Sequence, residues 1–283
     1  MNQLHFGYNT SGFAHHRLLD AVLILADLGY RSIALTLDHD ALNPFDPVQT
    51  APIFVQQWRE RFDRLRLRGV VETGARFLLD PKRKHQPTLV SPEGVQQPRI
   101  DFIQRAIGAT AALGWTTVSL WSGTPIDAVA PSALMNRLVE RCRQLCDDAI
   151  QQGCRLAFEP EPGMFIDTMP KFQELFGRVN HPAFGLTLDI GHLHCMGETP
   201  IEDHLRRWKH VLWNVHIEDM RRGVHEHLMF GDGEIDFPPI LRTLREIGYS
   251  GGVHVELSRH SHDAVETARK ALAFLRRASG DQV

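Results

Sequence analysis

"CRLAFEPEPGMFIDTMPKFQELFGRVNHPAFGLTLDIGH", residues 154–192, carries the pattern that decides the fold. CRLAFEPEPG (154–163) reads as a strand and its exit loop. MPKFQELFGRV (169–179) spaces its apolar residues as a helix does, and FGLTLDIGH (184–192) reads as a second strand. A strand, a helix and another strand in this order imply parallel pairing through a crossover. Each apolar run also stops on a carboxylate, Glu159 in the first and Asp189 in the second.

The same unit recurs in both directions. Upstream, LHFGYN (4–9) is a strand and HHRLLDAVLILADLG (15–29) a helix stopped by Gly29. SIALTLD (32–38) precedes the helix 51–69, and GVVETG (69–74) precedes a polar loop and the helix 100–114. TTVSLWSG (116–123) leads to the helix 131–153, with Pro131 at its start. Downstream, the helix 200–209 follows Asp189. VLWNVHIED (211–219) is followed by a polar loop and the helix 238–248. GGVHVELS (251–258) and a last helix, 262–278, complete the series. Eight units without a linker predict one α/β domain over residues 1–283, a single (β/α)8 TIM barrel. The strands are nearly continuous apolar runs, as expected when both faces are covered. An open doubly wound sheet is the alternative, but no GxGxxG follows the first strand.

Composition narrows the function classes. The chain has 283 residues, 43% hydrophobic, and a net charge of −3. Its pI near 6.6 gives no global case for nucleic acid. No apolar run reaches the ~18 residues of a membrane span. MNQLHFGYNTSG lacks the form of a signal peptide. Four cysteines (142, 146, 154, 195) do not form a disulfide framework in a chain this long. A soluble, reduced, cytoplasmic protein is expected, with Cys142 and Cys146 packed in a helix core. Eleven of the 16 histidines lie after residue 180, a hint of metal or proton chemistry.

In such barrels chemistry sits at the C-terminal ends of the strands. Strand five ends at Glu159, strand six at Asp189 with His192 three residues on, strand seven at His216 before Glu218 and Asp219, and strand eight at Glu256. Glu159, Asp189, His216 and Glu256 converging on one spot would repel and resist burial unless a cation neutralised them. Three carboxylates and an imidazole suit a divalent metal with positions left for substrate oxygens. Zn²⁺ and Mn²⁺ are the leading ions, with Mg²⁺ and Co²⁺ also compatible. Any one of these residues alone would be read as a polar rim residue.

LAFEPEPG, LTLDIGH, NVHIED and GYSGGVHVEL resemble the strand-five to strand-eight signatures of the xylose-isomerase-like TIM-barrel superfamily. That superfamily includes ketose 3-epimerases, sugar-phosphate isomerase/epimerase-like proteins and apurinic-site endonucleases. The resemblance is strongest over residues 154–258, while the first half agrees only in layout. It implies that Glu159, Asp189, His216 and Glu256 are the shared metal ligands. Gly231, Gly233 and the following Glu234-Ile235-Asp236 resemble the family's G-x-G turn. The epimerase branch implies substrate contacts for His192 and Arg222, and proton transfer by Glu159 and Glu256 on opposite faces of the substrate. The metal would polarise a ketone and its neighbouring hydroxyl, and an enediolate would form. The endonuclease branch implies a second ion, at His192, His225 and His227. Three imidazoles suit Zn²⁺ with a water in the fourth position. That branch also uses two further histidines at earlier strand ends, where this chain has Glu72 and Trp121, so a complete three-zinc centre is not expected.

Trp121 and Glu72 are candidate substrate contacts, although Trp121 also reads as a filler of the barrel mouth. Lys82, Arg83, Lys84 and His85, in the loop 79–94, could bind a substrate anion. A solvated loop is the plainer account of that run, and for His225 and His227 the alternatives to a metal are a solvated loop or hydrogen bonds to substrate. The leading expectation is a metal-dependent isomerase or epimerase of a small polyhydroxy carbonyl compound, with one or two ions per chain. The alternatives are a di-metal, phosphoesterase-like hydrolase, or a non-catalytic biosynthetic accessory protein. The expected partner is a small-molecule substrate, with no membrane and no nucleic acid, and a homo-oligomer is left open.

Overall fold

The computed structural model describes residues 3–280. Eight parallel strands close into a barrel: β1 (His5–Asn9), β2 (Ser32–Thr36), β3 (Arg68–Glu72), β4 (Thr117–Leu120), β5 (Arg155–Phe158), β6 (Phe184–Asp189), β7 (Leu212–Ile217) and β10 (Gly252–Val255). β10 pairs with both β1 and β7, with Tyr8 opposite Val255 and His216 opposite His254. Two short strands, β8 (Asp219–Arg221) and β9 (Val224–Leu228), form a separate antiparallel hairpin. None of the described helices is long and apolar enough to cross a membrane.

By packing, the chain divides into two compact units, 1–35 with 62–69 and 187–283, and 36–61 with 70–186. The boundaries fall inside β2, the helix Pro52–Leu65, β3 and β6.

The second unit holds α4 (Pro131–Gln151) and α5 (Met169–Val179). α4 begins with proline in its first turn, as the sequence predicts, because proline lacks the N–H that a first turn leaves unpaired. Its Cys142 and Cys146 are fully buried free thiols, four residues apart on one helix face. Burial pushes the Cys146 thiol up to about 12, so both act as small apolar side chains. α5 turns Phe172 and Phe176 onto the sheet. Phe158, Phe172 and Phe184 form a ring cluster with centroids 5.7–6.3 Å apart. The loop 79–94 is not uniformly solvated. Lys82 and Arg83 are exposed, whereas Leu89, Val90 and Ser91 are fully buried. Arg141 of α4 holds that buried part by donating to the Leu89 and Ser91 carbonyls at 2.6 and 2.7 Å.

In the first unit, α1 (Leu18–Leu28) ends at Gly29, whose φ of 103° only glycine adopts without strain. α9 (Ala264–Ser279) closes the chain, and Tyr30 donates to its Ala268 carbonyl at 2.7 Å. Two local expectations change here. The strand read over 184–192 stops at Asp189, and Ile190–Cys195 is a short helix, α6. The side chain of Asp189 accepts from His192 N–H at 2.7 Å, and this cap turns the chain. The polar loop after β7 is the β8–β9 hairpin. Asp219 holds the turn that follows β9, accepting from the N–H groups of Met220, Gly231 and Ile235 at 3.0, 2.8 and 3.1 Å. A Cβ on Gly233 would lie 2.2 Å from Asp219 Oδ1, so glycine there permits the close approach.

Phe172→Ala removes the centre of the aromatic cluster. Urea unfolding should show a loss of about 3–5 kcal/mol, the usual cost of deleting a buried ring.

Candidate functional site

Alternation along the strands decides which side chains meet. On β7 and its exit, Asn214, His216 and Glu218 share one face, and on β10 and its exit so do Gly252, His254 and Glu256. β6 contributes Asp189 at its last position. Asp189, His216 and Glu256 each offer a ligand atom, all within 4.8 Å of one another, and Glu159 directly follows the last residue of β5. His216 Nδ1 is 3.1 Å from Glu256 Oε2 and 3.9 Å from Asp189 Oδ2. One oxygen of Asp189 is used by the α6 cap. The other, Oδ2, is buried beside Glu218 and faces His216. Buried carboxylates gathered around an imidazole are a donor set that fits a divalent metal.

The charge states agree with this. Burial opposes ionisation of Glu256, but the facing His216 outweighs it and holds Glu256 well below the usual carboxylate range. Glu218 behaves in the opposite way. It is fully buried, and Oε2 lies 3.9 Å from His227 Nδ1. Burial, then the charge and hydrogen bond of Asp189 and the charge of Glu256, push its carboxyl well above the ordinary carboxylate range. The sequence marks Glu218 only as the residue two after His216. A Cβ on Gly191 would sit 2.0 Å from Glu218 Oε1, so α6 is shaped to admit this carboxyl.

A second cluster stands beside the first. His225 and His227, two apart on β9, turn to one side of the hairpin and meet His192 of α6. The strand pairing, not a solvated loop, brings them there. His192 Nε2 and His225 Nε2 are 3.1 Å apart, and the three residues offer nitrogens within 4.8 Å of one another. Tetrahedral zinc at about 2.0–2.1 Å from each nitrogen would set neighbouring nitrogens about 3.3 Å apart. His227 Nδ1 lies 3.0 Å from the Glu256 carbonyl, an orientation that leaves Nε2 for a ligand. Burial brings His192 down to about 4 and also lowers His225, so both keep their lone pairs at neutral pH. His192 Nε2 is 3.8 Å from Asp189 Oδ2, so Asp189 borders both clusters.

The remaining candidates are placed as follows. Arg222 is exposed, with its guanidinium over Gly197, and its N–H donates to Glu234 Oε2 at 3.1 Å. Glu72 is buried at the end of β3. Trp121 is 9% exposed, with the Arg99 guanidinium 4.9 Å from its ring centroid and His85 edge-on at 5.3 Å. Arg83 is paired with Asp80 at 2.7 Å, while Lys82 lies exposed beside it. Arg99, which no sequence signal marks, is fully buried and donates to the carbonyls of Pro87, Thr73 and His85.

Residues 22–278 match the family described as xylose isomerase-like TIM barrel. The inosose dehydratase of Clostridium botulinum (strain Alaska E43 / Type E3) is 28% identical over 138 residues, 43% of this chain and 46% of that protein. The match thus spans about half the length of that relative. The L-ribulose-5-phosphate 3-epimerase UlaE of Escherichia coli (strain SMS-3-5 / SECEC) is 24% identical over 260 residues, 89% of this chain and 87% of the other. Among solved structures, an IOLI protein with a binding zinc atom superposes with a TM-score of 0.75 at 20% identity, covering 97% of this chain and 99% of that one.

Glu218 supplies a pH test on the metal-free protein. Its folded-state value is raised, so its contribution to stability is full below the unfolded value of about 4.5 and is lost as pH rises through the higher folded value. Glu218→Gln has no such loss. Urea unfolding at a series of pH values should show the variant gaining stability relative to wild type as pH rises above 4.5. A difference independent of pH would contradict the raised carboxyl of Glu218.

Proposed function

The chain belongs to the xylose isomerase-like TIM barrel family, and we propose that it is a divalent-metal-dependent isomerase or epimerase of a small polyhydroxy carbonyl compound. The observation that carries this reading is the convergence of Asp189, His216 and Glu256, with Glu159 the fourth ligand expected from the sequence. Zn²⁺ or Mn²⁺ held there would supply Lewis acidity toward a carbonyl and its neighbouring hydroxyl, acidifying the C–H between them. Glu256 is the base that takes this proton, and Glu159 returns one on the other face of the substrate. His192 and Arg222 position the hydroxyl groups. Glu72, Trp121, Lys82 and Arg83 are the proposed specificity residues, and the (β/α)8 barrel acts as one domain. Four buried free thiols suit a reducing, cytoplasmic setting.

The relatives support the reading at the level of chemistry. An epimerase and an inosose dehydratase both act next to a carbonyl in polyhydroxy substrates. Proton removal at that carbon is common to both outcomes, return of the proton giving the epimer and loss of a β-hydroxyl giving dehydration. A second reading, a di-metal hydrolase, is favoured by the cluster of His192, His225 and His227, since paired ions can activate water and hold both oxygens of a displacement.

Metal content per chain separates the two. After zinc reconstitution, wild type should hold ions at both clusters, His216→Ala should lose the carboxylate-site ion, and His227→Ala the other. A single ion in wild type would count against the hydrolase, and none would count against both. For the leading reading, incubation with Mn²⁺ in D₂O should place deuterium beside the carbonyl of a ketose or an inosose. Full loss of that exchange is expected in Glu256→Gln. Absence of exchange across such substrates in the metal-loaded wild type would contradict the proposal.

A further inference from the structure

Behind His216, a row of buried polar side chains runs through the barrel interior and takes no part in the proposed reaction. His216 Nε2 lies 3.2 Å from Asn214 Nδ2. Asn214 Oδ1 lies 2.8 Å from His254 Nδ1. His254 Nε2 lies 2.8 Å from Ser32 Oγ, which also reaches the Arg68 carbonyl at 3.4 Å. Asn214 and His254 are fully sealed from solvent, and Ser32 is 2% exposed.

The sheet is shaped around this row. A Cβ on Gly7 of β1 would fall 2.3 Å from His254 Cδ2, and one on Gly252 of β10 would fall 2.3 Å from His254 Cε1. Two glycines therefore admit the imidazole and clamp it, leaving its two nitrogens aimed at Asn214 and Ser32. A buried imidazole with both edges fixed on neutral partners is an expensive feature to build without a use.

We propose that Ser32, His254 and Asn214 form a reversible hydrogen-bond relay that sets the tautomer of His216, reversing direction when a divalent cation replaces the proton on His216 Nδ1. The proposal rests on the reading of His216 as a metal ligand. In the metal-free direction, His216 Nδ1–H donates to Glu256 Oε2 across 3.1 Å. His216 Nε2 then accepts from the Asn214 amide, Asn214 Oδ1 accepts from His254 Nδ1–H, and His254 Nε2 accepts from the Ser32 hydroxyl.

With a cation on Nδ1, the neutral His216 ring carries its proton on Nε2 and must donate. Two donors would face each other unless the Asn214 carboxamide turns over. Turned, its oxygen accepts from His216 and its NH₂ donates to His254 Nδ1. His254 then carries its proton on Nε2 and donates to Ser32 Oγ, and Ser32 donates to the Arg68 carbonyl. Each imidazole gives up one proton at Nδ1 and gains one at Nε2 by exchange with water, so the relay releases none. In either direction both imidazoles, the Asn214 carbonyl oxygen and the Ser32 hydroxyl keep a partner within the row. A carboxamide suits the pivot because it offers a donor and an acceptor of nearly equal shape that a half-turn exchanges.

Asn214, His254 and Ser32 are thus positioning residues for a metal ligand. The test uses the full chain, with zinc affinity measured by chelator competition and long-range ¹H–¹⁵N spectra of histidine-labelled protein. On zinc addition to wild type, both His216 and His254 should change from the Nδ1–H to the Nε2–H form. Asn214→Leu should weaken zinc at this site about 10–100-fold, the usual effect of losing an outer partner of a metal ligand. Asn214→Asp, which accepts from both rings and locks the metal-bound direction at His216, should restore the affinity. If His254 keeps one tautomer with and without zinc, or Asn214→Leu binds as tightly as wild type, the relay is overturned while the metal site stands. If wild type itself binds no zinc, both fall together. The tautomer measurement needs only the wild-type protein, so poor folding of a variant does not shield the proposal.

Discussion

Like charges brought out of water are the constraint around which the barrel mouth is organised. Asp189 and Glu256 stand on either side of His216. Burial of ionised carboxylates costs several kcal/mol per ion unless opposite charge is at hand. His216 offsets part of that cost through its contact with Glu256, and burial favours the protonated form of Glu218. A divalent cation offsets the rest. The neighbouring His192 follows the same logic, since burial keeps it neutral and therefore able to donate a lone pair.

The surrounding fold serves this arrangement at close range. Asp189 ends β6, caps α6 with one oxygen and leaves the other facing His216, so one residue fixes both a turn and a ligand atom. Asp219 at the start of β8 pins the turn that follows β9, and the hairpin carries His225 and His227 to His192. Gly191 and Gly233 owe their places to carboxylates, Glu218 and Asp219, that would otherwise collide with a Cβ.

The strand ends were legible in the sequence because each chemical residue follows an apolar run, and period-two alternation then points it inward. Glu159, Asp189, His216 and Glu256 could be read in this way, as could the helices stopped at Gly29 and begun at Pro131. The hairpin could not. VHEHL is short and polar on both faces, so its strand character depends on pairing with Asp219–Arg221. Asn214 and His254 were hidden inside apolar runs, where one polar residue does not change the reading of a strand. The loop 79–94 looked like surface because its lysines and arginines dominate its composition. Its buried half is held by Arg99 and Arg141, donors from later helices that local pattern cannot reveal.

The family assignment fixes the architecture and leaves the chemistry to these side chains. The most direct measurement is anomalous diffraction from crystals of the full chain soaked in Zn²⁺ or Mn²⁺, recorded at the metal's absorption edge. The account predicts a peak bonded to Glu159, Asp189, Glu256 and the Nδ1 atom of His216. Soaked crystals with no anomalous density among those four side chains would contradict it.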